Sequence, residues 1–118
     1  MTRNVFAALA AAALAASAAS AQTQGVTDDE VVIGAHTDLS GIFASFGAPS
    51  VRAAQLYFDE VNAAGGVHGR TIRYVVEDTG YQVPKAVQAT NKLVNRDEIF
   101  AMVLALGTPH NIASFRLL

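Results

Sequence analysis

The chain reads as an α/β protein built on a parallel sheet, and three observations carry that prediction. Apolar or β-branched runs at Val31–Ala35, Thr71–Val76 and Ile99–Leu106 alternate with amphipathic stretches of helical period. Each run is followed by glycine, hydroxylic or proline residues of the kind that precede a helix. The resulting order is βαβαβα, and strands that alternate with helices pair in parallel through right-handed crossovers.

The first strand rests on Val31, Val32 and Ile33, whose branched side chains suit a buried pleated surface. From Gly34 to Gly47 the chain turns small and hydroxylic (Thr37, Ser40, Gly41, Ser45) with aromatics between, which predicts a loop. Pro49 and Ser50 then open a helix over Pro49–Ala64 with Val51, Ala54, Tyr57, Phe58 and Val61 on its inner face. Gly65-Gly66 supplies the left-handed conformation that ends it, and Val67–Arg70 is a tight turn. In the second strand Ile72, Tyr74 and Val76 alternate, and Glu77–Gly80 is its polar exit.

The second helix is expected over Pro84–Asn95, with Ala86, Val87, Thr90, Leu93 and Val94 inward. Its cap is poor, because Val83 stands where Ser, Thr or Asp is preferred. Ile99–Leu106 carries no charge, as in a strand covered on both faces. Gly107-Thr108-Pro109 opens the third helix, with Thr108 placed to cap it and Pro109 at the first helical position. So apolar a third strand makes a poor exposed edge, and the third helix stops after barely two turns. The chain is therefore expected to be the N-terminal portion of a longer protein.

With 118 residues, a net charge of −2 and no cysteine, the chain lacks the basic patch of a nucleic-acid binder, and disulfides, thiolate catalysis and cysteine-type zinc sites are excluded. Residues 1–21 read as a secretory signal peptide. Arg3 precedes the alanine-dominated run Val5–Ala19, and Ala19-Ser20-Ala21 has the small-x-small pattern of a cleavage site. That run falls short of the ~20 residues that span a bilayer as a helix. Residues 22–30 are then a flexible leader, and 31–118 the folded part.

The loops at the carboxyl ends of the strands are where open α/β sheets bind ligands. Neither GxGxxG nor a P-loop lysine is present, so a nucleotide site is unsupported. His36, His68 and His110 sit on separate connections without metal-ligand spacing. His36 and His110 either line a cleft or are solvated loop histidines. Ser40 and Ser45 lack a positioned base and read as structural hydroxyls, and Asp38 and Asp78 either pair across the sheet end or are solvated acids. No catalytic residue and no cofactor is expected. The stronger signal is the pair of helix starts at one end of the sheet, whose free N–H groups suit a carboxylate, with Thr108, His110 and Asn111 adding donors.

Several stretches, VVIGAHTDLSG, FDEVNAAGGVHGR, YVVEDTGYQVPKAVQATNKLV and GTPHNIA, together resemble the type I periplasmic substrate-binding proteins of ABC importers, in particular the branched-chain amino acid group. The resemblance runs from Glu30 to Leu118 and is most specific at Asn62–Arg70. It implies two lobes closing on a small-molecule ligand, an ABC permease as partner, a periplasmic location and no enzymatic activity. It places ligand contacts at Ser40, Gly41, Phe43 and Phe46 in the first loop and at Thr108, Pro109, His110 and Asn111 in the third.

The family's third loop often carries successive serines where this chain has Pro109 and His110. The resemblance therefore leaves small carboxylates, amides and short peptides open beside aliphatic amino acids. The second lobe and hinge lie beyond the resemblance, so the chain alone is expected to bind weakly or not at all. The same fold also serves as the input domain of receptors and amide-responsive regulators, which is the alternative function.

Overall fold

The computed structural model describes residues 23–118; the signal segment expected over residues 1–21 lies outside them. The elements are β1 (Glu30–Thr37), α1 (Ala44–Ala63), β2 (Thr71–Asp78), α2 (Val83–Asn95), β3 (Ala101–Met102) and α3 (Thr108–Ser114). The sheet has the order β2-β1-β3 with every pairing parallel, as the alternation of strands and helices predicts. β1 and β2 pair without slippage from Glu30 opposite Thr71 to Thr37 opposite Asp78. Both strands therefore release their loops at the same edge.

Residues of one strand point to alternate faces, and the two faces are packed unequally. On one face Val32, Leu93 and Ile99 are buried together, flanked by Val75, Val94 and Met102. Gly34 belongs to this face: a methyl group there would meet the Ile99 side chain at 2.7 Å and Leu93 of α2 at 3.3 Å, so glycine lets both pack close on β1. Of the expected inner face of α2, Ala86, Thr90 and Leu93 are buried, and Ala89 joins them.

On the other face α1 lies against β2, with the rings of Phe58 and Tyr74 edge to face at 5.1 Å. Asn62 pins the end of α1 to the start of β2 by accepting from Ile72 N–H (2.7 Å) and donating to Ile72 C=O (2.9 Å). Past it Gly65 and Gly66 take φ of 102° and 75°, the left-handed helix exit. Val67 and Arg70 exchange backbone hydrogen bonds of 2.8 and 3.1 Å across the tight turn.

Four expectations are corrected. α1 begins at Ala44 rather than Pro49, so Pro49 sits inside the helix. Its missing N–H would have bonded the Ser45 carbonyl, a loss confined to the first turns. Gly47 allows the early start, since any side chain there would run into the Asp38 carbonyl. Tyr57 is 63% exposed and outside the inner face, because one residue turns the helix by about 100° and Phe58 already points inward.

The third strand shrinks from eight residues to Ala101–Met102 and forms an edge of the sheet, with Phe100 and Leu104 exposed rather than covered. The segment still follows β1: Phe100 N–H donates to Val32, Val103 to Gly34 and Leu106 to His36. In each of the two intervals it advances three residues against two on β1, a one-residue excess like that of a bulge. In the second interval Leu104 takes φ 54°. Finally, the stretch expected as a flexible leader is tied down where it is described. Gly25 C=O accepts from Val32 N–H (2.8 Å), and Gln24 Nε2 donates to Val94 and Ile99 carbonyls (2.9 and 3.3 Å).

Candidate functional site

Three loops converge at the carboxyl edge of the sheet. The first, after β1, is organised by Asp38, which is fully buried rather than solvated. Its Oδ1 accepts from the N–H groups of Ser40 (3.2 Å) and Gly41 (2.5 Å), and its Oδ2 from Phe43 N–H (2.8 Å). Ala44 N–H donates to the Gly41 carbonyl at 3.2 Å. The donors that precede α1, read from the sequence as free for a ligand, thus turn inward onto the protein's own carboxylate.

Asp78 does the same from the next strand. Its carboxylate accepts from Leu39 N–H (2.9 Å), Gly80 N–H (2.9 Å) and the Ser40 hydroxyl (2.5 Å). The Ser40 bond foremost, with the two backbone donors, holds the Asp78 carboxyl below the usual carboxylate range. The two aspartates therefore do not pair with each other; each closes a loop. Gly41 is compact of necessity, since a methyl group there would lie 2.6 Å from the Gly80 carbonyl.

The second loop contributes Tyr81, held at φ 56°. Its ring lies 4.4 Å from that of Phe43 and 4.5 Å from the imidazole of His110. Phe46 extends the row at 6.2 Å from Phe43 and is 65% exposed. Tyr81 was not singled out from the sequence. The signal is an aromatic three residues past the end of β2, where small or polar residues otherwise prevail.

The third loop is opened by Gly107, which takes φ 111° and stands where α3 would be capped, while Thr108 makes no capping bond. Any side chain at Gly107 would collide with the His110 ring. His110 is buried, against the solvated alternative, and so is His36, which lies within β1 rather than beyond it. Asn111 Nδ2 donates to Ala105 C=O at 3.0 Å and staples the loop, leaving Thr108 and Pro109 exposed at its rim. Among the described residues no hydrogen bond uses the N–H of Thr108 or His110.

Between the first and third loops lies a cavity of about 210 Å3 lined by Thr37, Phe46, Gly47, Ser50, Leu104, Ala105 and Leu106. Its walls are apolar with two hydroxyls and hold no charged side chain. Phe46 alone of the expected contacts lines it. Ser40, Gly41 and Phe43 precede Phe46 in the first loop, and Thr108 to Asn111 follow the lining residues in sequence. Larger cavities of about 450 and 470 Å3 lie against residues 23–27 and along the outer side of β3, and one of about 340 Å3 lies between the end of β2 and α2, lined by Glu77, Asp78, Lys85 and Lys92 among others. Such an arrangement can seat the apolar part of a small molecule and offer backbone donors to a polar end.

A parallel sheet with helices on both faces and loops gathered at its carboxyl edge defines the chain as part of an α/β ligand-binding lobe. The family model described as periplasmic binding protein matches residues 30–114, and the chain belongs to that family. An amino acid binding protein of Pseudomonas aeruginosa is 38% identical over 74 residues, covering 63% of this chain and 20% of that protein. Among solved structures, a fatty acid ABC transporter substrate-binding protein from Thermomonospora curvata is 43% identical with a TM-score of 0.76, over 80% of this chain and 24% of that one. The branched-chain amino acid transporter substrate-binding protein LivJ from Streptococcus pneumoniae, in complex with isoleucine, is 30% identical with a TM-score of 0.71, over 75% of this chain and 26% of that one. The chain thus spans between a fifth and about a quarter of the length of these relatives.

Proposed function

We propose that the chain supplies the first-lobe wall of an extracytoplasmic solute-binding protein that captures amino acids or related small carboxylates or amides for an ABC importer. The observation that carries this reading is the convergence of the first and third loops on an uncharged cleft at the carboxyl edge of the sheet. The ligands named for two structural neighbours, a fatty acid and isoleucine, share a carboxylate attached to an apolar tail. Phe46, Leu104 and Leu106 suit such a tail, and the N–H groups of Thr108 and His110 suit the carboxylate. No bond is broken; specificity comes from cleft shape and a few directed donors, with an opposing lobe excluding water. The residues in contact are Ser40, Gly41, Phe43, Phe46, Thr108, Pro109, His110 and Asn111, and delivery is to a membrane permease.

The test is an NMR titration of the isotope-labelled chain with isoleucine, hexanoate and acetamide at millimolar concentration. Amide shifts confined to Ser40–Phe46 and Leu104–Asn111, saturating with at least one of the three, are expected. Shifts scattered over the surface, or centred on residues 23–27, would refute the site.

A further inference from the structure

Two imidazoles are buried where β1, the second loop and α3 meet. His36 is 0% and His110 1% exposed, and beside them Ser114 is 0% exposed. None of the four ring nitrogens, nor Ser114 Oγ, has a hydrogen-bond partner among the described residues. Leaving such groups unpaired is costly, and adding a charge to one of them costs far more. The charged groups on the elements around them are turned to other partners. β2 places Glu77 opposite His36 in the register, but its carboxylate is taken by Lys92 of α2. Lys92 also reaches Asp97 at 3.2 Å. From α2 the Thr90 hydroxyl donates to Ala86 C=O, and Lys85 lies toward Asp78. Asp38 is committed to three N–H groups of the first loop, and α3 itself offers Ser114 and the stapled Asn111. The second loop brings Tyr81, whose ring covers His110.

No carboxylate among the described residues is therefore free to pair with an imidazolium here. Burial lowers the His36 pKa below the ordinary histidine value, and the neighbouring His110 lowers it further.

We propose that His36, beside His110, is a proton-operated latch that stays closed while its imidazole is neutral, ties the third loop and the start of α3 to the carboxyl end of β1, and opens at mildly acidic pH. The backbone fits the role. Among the described residues the β3–α3 loop reaches β1 through two backbone bonds, Val103 N–H to Gly34 C=O (2.8 Å) and Leu106 N–H to His36 C=O (3.2 Å), whereas β1 and β2 are fastened along eight register pairs. Opening can thus free the third loop without unzipping the sheet. The sign follows from the lowered value. Above the ordinary histidine pKa of ~6.5 neither the closed nor the open form binds a proton. As pH falls below it the open form protonates first, so closure weakens progressively toward the lowered pKa. The latch rests on packing and stands or falls independently of any ligand.

The experiment is amide hydrogen exchange on the full chain at pH 7.5 and pH 5.0, corrected for the intrinsic rate at each pH. Protection of α3 is expected to fall roughly tenfold per pH unit between the ordinary and the lowered histidine pKa, with β1 and β2 unchanged. In His36→Leu the two pH values should give equal protection of α3. Equal loss of protection in His36→Leu, or none in the wild type, would overturn the latch. Should His36→Leu not fold, a titration of labelled histidine in the wild type decides instead. A His36 midpoint below the ordinary value supports the latch, and one at or above it overturns it. Stoichiometric zinc that protects α3 in the wild type at pH 7.5, but not in the histidine variant, would also overturn it, by making the pair a cation site.

Discussion

The loops that follow β1 and β3 leave the same edge of the sheet and are built in opposite ways. In the first, the N–H groups of Leu39, Ser40, Gly41 and Phe43 are all spent on the carboxylates of Asp38 and Asp78, so the loop is complete in itself. In the third, one side-chain staple from Asn111 and the positive φ of Leu104 and Gly107 set the path, while the Thr108 and His110 donors stay unspent. A donor already bonded within the protein gains little by turning to a ligand, whereas an unspent one gains a full hydrogen bond. On the proposed reading, the first loop gives the site its shape and the third its polar recognition.

Three substitutions test that contrast. Asp38→Ala should have the largest effect, because it strips a buried acceptor from three N–H donors at once. A loss of about 3 kcal/mol or more is expected in urea unfolding. A loss below ~1 kcal/mol would mean that the donors find water and that the first loop is not internally closed. Gly107→Ala comes next, at about 1–3 kcal/mol, since φ 111° strains any side chain and the added methyl displaces His110. Its distinguishing readout is local: hydrogen exchange should rise in α3 and not in β1. Thr108→Ala should be smallest, within ~0.5 kcal/mol in thermal unfolding, because the hydroxyl makes no capping bond. A loss of ~1 kcal/mol would restore Thr108 to the capping role its sequence position implies.

Legibility in the sequence followed the range of the interaction. β2, α2 and the Gly65-Gly66 exit were readable because alternation, helical period and left-handed backbone are local properties. The start of α1 was not, since proline at a first turn and proline one turn later look alike. What decides between them is the close approach of Gly47 to the Asp38 carbonyl. β3 misled for a related reason: eight uncharged residues report burial, but not that Leu104 breaks the extended path.

At the site, the loops and several of their residues could be named, while their hydrogen bonding could not. That Asp38 faces inward depends on where Gly41 and Phe43 come to rest around it. Tyr81 matters only because the fold sets Phe43 and His110 on either side of its ring, and nothing near it in the chain announces those partners.

The order β2-β1-β3 carries a consequence for how such a protein can diversify. From the central β1 the chain steps first to one side and then crosses to the other, so the two connections diverge and a crevice opens between the ends of β1 and β3 whatever side chains are present. Location follows from topology, while in the proposed site selectivity falls to Phe46 and Leu104–Leu106, which line the cavity. On that proposal, drift in those side chains exchanges one solute for another while the frame that presents them stays fixed.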